Sequence, residues 1–432
     1  MSDKNALWFE NAGRKLDPGL VEQLRFNKQQ DPSETGDHSI SVIVYLNKHS
    51  DTEQKHDFVT SCHAEKNNSI GNELGLEDTL YGQLTPKMVK KMKDHGSVDR
   101  IFYDRDVKAF LDVATKGVGA TKVQEQLGFT GDDVTVAVID TGIHPHPDLI
   151  ESENRIIAFK DFIQDQTDPY DDNGHGTHCA GDVASSGSQS DKKYMGPAPK
   201  ASLVGVKVLN KDGGGKLSTI VKGIVWCIDH KDEYNIRVLS LSLGAEAFES
   251  FREDPLSQTV QKAWHHGMVV CAAAGNDGPE SQTISTPAIN PFVMTVGSTD
   301  DHNTPKRSDD IIADYSSRGP TIDSLIKPDI YAPGTKITSL LAPESTLAAE
   351  QQQHQMVNES YISLSGTSMA TPIVAGVVAL MLEANSALSP NDVKSILQAT
   401  APSELDDLWG YMNAEEAVDM AQRYSQIQLV TK

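Results

Sequence analysis

The sequence predicts an α/β protein: a large domain on a central, mostly parallel sheet covered by helices, preceded by a small α+β unit. Three observations predict this. From Val134 onward, short apolar stretches alternate with helical patterns. Stretches such as VTVAVID and MVVCAAAG are apolar without interruption, as strands buried on both faces require. The length, 432 residues, exceeds one ordinary small domain and suggests a large domain plus a smaller one.

Taken in order, residues 1–37 read as a polar N-terminal extension, with a short helix around Gly19 to Phe26 and a turn-rich stretch from Asp31 to Asp37. Residues 38–111 form the small unit. Its strands are expected at Ile40–Leu46, Thr79–Leu84 and from Val98 toward Phe110, with helices over Glu53–Lys66 and Pro86–Asp94. Leu111 to Gly128 reads as a linker into the large domain, 112–432. There the expected strands are Val134–Asp140, Leu203–Leu209, Val238–Leu243, Met268–Ala274 and Val293–Ser298. Helices are expected at Leu217–Asp229 and Ser257–His266, and an apolar one at Ile373–Leu382.

Charge and cysteines narrow the functional classes. The net charge is −23, of which −20 falls after residue 120. A domain this acidic repels phosphate backbones and anionic lipid, so nucleic acid and membrane are excluded as partners. The first thirty residues hold no apolar run, which argues against an ordinary secretory signal. Four scattered cysteines, Cys62, Cys179, Cys227 and Cys271, do not make a disulfide framework. The expected location is cytoplasmic, though secretion by another route stays open.

Three segments carry reactive chemistry. The first apolar strand ends in Asp140-Thr141-Gly142, placing a carboxylate at the carboxyl edge of a parallel sheet, where ligands gather. His175 stands between glycines in NGHGTH, where a helix begins. Ser368 lies in SGTSMATP, at the start of the apolar helix, where unpaired backbone N–H groups can hold an oxyanion. Serine is a weak nucleophile until an imidazole takes its proton, and the imidazole needs a carboxylate to orient and stabilise it. The order Asp140, His175, Ser368 is one of three known triad orders. Asn276, after a buried strand, adds a side-chain N–H donor for an oxyanion.

The segments VAVIDTGIHPHPDL, NGHGTHCAG, AAAGNDGP and SGTSMATP together resemble the four motifs of the subtilase family of serine peptidases. Within it the chain is most similar to the AprX-type subtilases of bacilli, which lack a secretion signal. The resemblance implies a subtilisin-like three-layer α/β/α domain and a serine endopeptidase acting on proteins through an acyl-enzyme. It implies Asp140, His175 and Ser368 as catalytic residues, with Asn276 and the Ser368 N–H as oxyanion donors. Gly213, Gly214 and Gly215 on one edge, and Ser242, Leu243 and Gly244 on the other, would pair with extended substrate. Ala273, Ala274 and Gly275 would line the first specificity pocket, suited to a large apolar residue or, through Asp277, a basic one.

The small unit resembles a subtilisin propeptide, an inhibitor cleaved near Phe110 and Leu111; a permanent accessory domain is the alternative. The chemistry requires no cofactor. Two readings of the acidic loop before His175 stay open: a solvated loop, or a calcium site at Asp161, Asp165 and Asp168. The competing function is a catalytically inactive binding module of the same fold, which would lack a triad or oxyanion residue; all four are present. A histidine after the serine, needed by an α/β-hydrolase, is missing, since the last is His354. His178 reads as a core residue, because no Glu follows His175 to complete a metal motif.

Overall fold

The computed structural model describes all residues except 1–7, 10–11, 17, 31–37, 48–51, 72–78, 104–110, 305, 351–355, 402–409 and 431–432. The chain divides into two compact units, Met1–Val107 and Lys108–Lys432.

The first unit holds α1 (Pro18–Gln30), β1 (Ile40–Leu46), α2 (Thr52–His63), β2 (Ser69–Gly71), β3 (Thr79–Leu84), α3 (Pro86–Met92) and β4 (Val98–Tyr103). Its sheet runs β2-β3-β1-β4, with every pairing antiparallel. Thr85 caps α3 by accepting from the Met88 N–H, and Pro86 supplies a preset first turn. The residues expected as a separate extension belong to this unit's core. Leu16, Leu20 and Leu24 pack with Val42, Val44, Phe58 and Ile101.

The second unit opens with α4 (Leu111–Gly117) and α5 (Ala120–Lys122), which runs on as a π-helical turn through Leu127. The expected linker is therefore helical. Ala114, Val118, Ala120 and Val123 are buried in the large core, which their apolar character rewards despite the intervening glycines. Then follow β5 (Thr135–Asp140), α6 (Pro147–Ile150), β6 (Ile156–Asp161), α7 (His175–Ala184), β7 (Ser202–Lys207), α8 (Leu217–Asp229), β8 (Ile236–Leu241), α9 (Pro255–His265), β9 (Val269–Ala273) and β10 (Met294–Asp300). The rest is β11 (Ile311–Ile312), β12 (Ile330–Pro333), β13 (Ile337–Leu340), α10 (Thr346–Glu350), β14 (Tyr361–Leu364), α11 (Thr367–Ala384), α12 (Pro390–Thr400) and α13 (Ala414–Val430).

The main sheet runs β11-β10-β9-β8-β5-β7-β6, with β12 also paired to β10. All of it is parallel except the β10–β11 hairpin. β5 lies centrally and is buried along its whole length, as its uninterrupted apolar sequence demands. β13 and β14 make a separate antiparallel pair. Helix α11 extends well beyond the apolar run expected from sequence. Among the described residues it alone is long and apolar enough to cross a membrane, yet 83% of it is buried, packed on α7, β8, β9 and β10. It is the central core helix.

Candidate active site

Asp140 ends β5 and His175 begins α7, and the two are joined by a hydrogen bond of 2.8 Å from His175 Nδ1 to Asp140 Oδ1. Two glycines make that approach possible. A Cβ on Gly176 would lie 2.2 Å from the Gly142 carbonyl oxygen and 3.1 Å from Asp140 Cβ. Gly142 itself has φ +127°, and a side chain there would strike the Tyr170 carbonyl at 2.1 Å. The start of α7 is held by Asp171. One carboxylate oxygen accepts from the N–H groups of Asn173 and Gly174, the other from the N–H and hydroxyl of Thr177. Thr141 adds a further tie, accepting from Gly176 N–H at 2.9 Å.

Burial works against a charged imidazole at His175, but the Asp140 carboxylate outweighs it and holds the ring well above its ordinary value. Cys179, one turn along α7, places its sulfur 3.8 Å from His175 Nδ1 and 3.5 Å from the Ser368 carbonyl oxygen. Burial pushes that thiol up to about 11, so it stays protonated.

Ser368 lies in the first turn of α11, where its backbone N–H has no helical acceptor. Its hydroxyl donates to the Ser242 carbonyl at 3.1 Å, and the Ser242 hydroxyl donates to the Ser368 carbonyl at 2.8 Å. Asn276 is oriented by Thr367, whose N–H and hydroxyl both donate to Asn276 Oδ1, at 2.9 and 3.1 Å. With its oxygen engaged, the amide presents Nδ2. A Cβ on Gly366 would stand 3.4 Å from that nitrogen and 3.6 Å from Ser368 N, inside the space between the two donors.

A cleft of about 540 Å³ is lined by His175, Ser368 and Asn276 together with Gly213, Gly214, Gly215, Ser242, Leu243 and Gly244. A smaller recess of about 280 Å³ adjoins it, lined by Ala273, Gly275, Ser285 and Thr367, with Asp277 and Glu246 as its ionisable lining residues. Ala274 does not line it. The chain alternates there, so Ala274 faces the core, fully buried, and its carbonyl accepts from the Ser285 N–H. Phe110 falls outside the described residues, and Leu111 begins α4.

Asp161 accepts hydrogen bonds from the N–H groups of Ile163, Gln164 and Gln166 and from the Tyr170 hydroxyl, so its carboxylate folds its own loop. Asp165 pairs with Lys160, and Asp168 is exposed. Among the described residues these three form no cluster of metal-ligating groups; the one such group is Asp140, His175 and Cys179.

Two supports, Lys207 and Asp182, were not read from the sequence. Lys207 is fully buried and donates to the carbonyls of Thr141 and Leu209 and to Asp172, fastening the Asp171–Asp172 segment to the end of β5. His178, buried as expected, is held by Asp182 at 3.0 Å and by the Ile337 carbonyl at 3.0 Å. An aspartate four residues after a core histidine was the available clue.

A parallel sheet that brings His175 and Ser368 to one cleft beside an oriented Asn, with Asp140 buried behind the histidine, defines a subtilisin-like protein, and the chain belongs to the subtilase family, matching its Peptidase S8 pattern over residues 131–424. It is 47% identical over 341 residues to serine protease AprX of Bacillus subtilis (strain 168), covering 77% of this chain and 76% of that protein. It is also 33% identical to a thermostable alkaline protease of Halalkalibacterium halodurans, covering 74% of this chain and 77% of the relative. A solved structure of a cold adapted subtilisin-like serine proteinase matches with a TM-score of 0.51 at 32% identity. It covers 66% of this chain and 88% of that one.

Proposed function

We propose that the protein is a serine endopeptidase that cleaves proteins through an acyl-enzyme, with Asp140, His175 and Ser368 as its catalytic triad. The observation that carries this reading is that His175, held by buried Asp140 at 2.8 Å, lines one cleft with Ser368 and Asn276. Ser368 Oγ attacks the substrate carbonyl as its proton passes to His175 Nε2, and Asp140 stabilises the resulting imidazolium. The tetrahedral oxyanion takes hydrogen bonds from Asn276 Nδ2 and the Ser368 N–H. Its collapse breaks the C–N bond, and the imidazolium returns the proton to the leaving amine. Water then repeats the sequence on the ester.

Substrate backbone pairs with Gly213–Gly215 on one side and Ser242–Gly244 on the other. The adjoining recess has small walls for a large apolar residue, and Glu246 beside Asp277 also favours a basic one over an acidic one. The first unit acts as a propeptide, cleaved by the enzyme near Phe110 and Leu111. The four cysteines, each buried and unpaired, suit a reducing compartment such as the cytoplasm.

The test is an intact-mass measurement after treatment with an organophosphonate. A single adduct on Ser368, absent from Ser368→Ala, is expected. An adduct on another residue, or none on a chain already lacking about its first 111 residues, would overturn the triad. An adduct on the uncut chain would retain the enzyme and remove the processing step.

A further inference from the structure

The neck of the β10–β11 hairpin holds a group of oxygens that the proposed peptidase chemistry does not use. Thr299 pairs with Ile312 and Asp300 with Ile311, so Asp301 and Asp310 are the residues that follow the last pair on either side of the hairpin. Thr299 lies two residues before Asp301. The Asp301 carboxylate is near enough to Asp310 to repel its charged form. Asp301 is 3% exposed and Thr299 is 0% exposed, and Tyr411, 1% exposed, approaches from the segment before α13.

Buried oxygens gather here: Thr299 Oγ1, Asp301 Oδ2 and one carboxylate oxygen of Asp310 have no hydrogen-bond partner, and the Tyr411 hydroxyl donates to Asp310. The remaining oxygen of Asp301 accepts from the Asn303 N–H at 3.0 Å. The nearby cation, Arg307, offsets part of the Asp310 charge but makes no hydrogen bond to these oxygens. Its Nε donates to the Gly117 carbonyl at 2.7 Å and its guanidinium lies over the Tyr411 ring at 5.1 Å. Such a concentration of unpaired buried oxygens needs a compensating partner.

We propose that Thr299, Asp301, Asp310 and Tyr411 form a site for one calcium ion, which fastens the β10–β11 hairpin to the segment before α13. Hard oxygen donors and a formal charge of two carboxylates match a divalent cation that takes six to eight oxygen ligands, with backbone carbonyls or water completing the shell. The electrostatics agree with this grouping. Burial raises Asp301 to about 6 and, with Asp301 nearby, Asp310 to about 7. Burial and these two carboxylates drive the Tyr411 phenol well above its ordinary value. A bound cation removes the repulsion that these shifts express. The site is separate from the Asp161 loop, whose carboxylate is already saturated.

The experiment measures the Tm of the full chain carrying Ser368→Ala, at pH 8, in calcium chloride and in sodium chloride of equal ionic strength. The parent is expected to gain roughly 3–6 °C in calcium at about a hundredfold excess over Kd. Adding Asp310→Asn should raise the calcium-free Tm, by relieving the repulsion, and abolish the calcium-specific gain. Tyr411→Phe, which keeps the ring packing, should weaken calcium binding severalfold, and serves if Asp310→Asn does not fold. An unchanged calcium response in both variants overturns the site. A parent response equal in sodium overturns the divalent assignment.

Discussion

At the residue scale, the site depends on which atoms are already committed. Asp140 accepts from His175 through Oδ1, and that contact holds the imidazole above its ordinary value of 6.5. In the proposed mechanism His175 must be neutral to take the serine proton, so kcat/KM should rise with pH through a midpoint above 6.5. Asp140→Asn removes the counter-charge and leaves burial alone, which favours the neutral ring. Its midpoint should shift downward while kcat falls about 10³–10⁴-fold. A pH–rate series on peptide substrate checks both; an unmoved midpoint would mean that Asp140 does not set the imidazole's charge. The identities of these residues were legible in four motifs. Their orientation was not. That Thr367 turns the Asn276 amide, and that Ser242 exchanges hydrogen bonds with Ser368, depends on atoms brought together across 91 and 126 positions.

At the element scale, the decisive contact is α7 against the end of β5. The helix reaches Asp140 because Gly176 has no side chain, and a Cβ there would sit 2.2 Å from a backbone oxygen. Backbone cannot yield as a flexible side chain can. Gly176→Ala should therefore cost about 2–3 kcal/mol of stability by overpacking. It should also cut activity in the folded fraction, because the imidazole is moved from its carboxylate. Urea unfolding beside active-site titration separates the two losses; a variant matching the parent in both would show that the helix start is compliant. Strands β1 and β3 and helix α8 were legible to the residue, since period and length agree there. α4 and α5 were not. Glycines at 117, 119 and 128 suggested a linker, and burial against the large core overrode them.

At the scale of the whole molecule, the acidic surplus is a physical load. Most of the net −23 lies on the second unit's side of the chain, and like charges on one compact body repel. Screening shortens that repulsion from about 10 Å at 0.1 M salt to about 3 Å at 1 M. The Tm of the chain carrying Ser368→Ala should rise roughly 2–5 °C between low and 0.5 M sodium chloride. Calorimetry across a salt series checks this; a flat or falling Tm would mean that favourable ion pairs, such as Lys394 with Asp329, outweigh the repulsion.

The sequence by itself determined the fold class, the two-part organisation and the residues that meet in the cleft. Continuous apolar strands, helical spacing and short motifs are local, and local patterns survive in one dimension. The tertiary structure alone decided that β5 is central, that Ala274 faces the core while its neighbours line a recess, and that Lys207 and Asp182 brace the site from beneath. It also decided that Asp161 closes its own loop while Asp301, Asp310 and Tyr411 gather buried oxygens. The physical reason is common to all of these. A buried charge or carbonyl must find its partner in space, and the partner's distance along the chain carries no signal of the match.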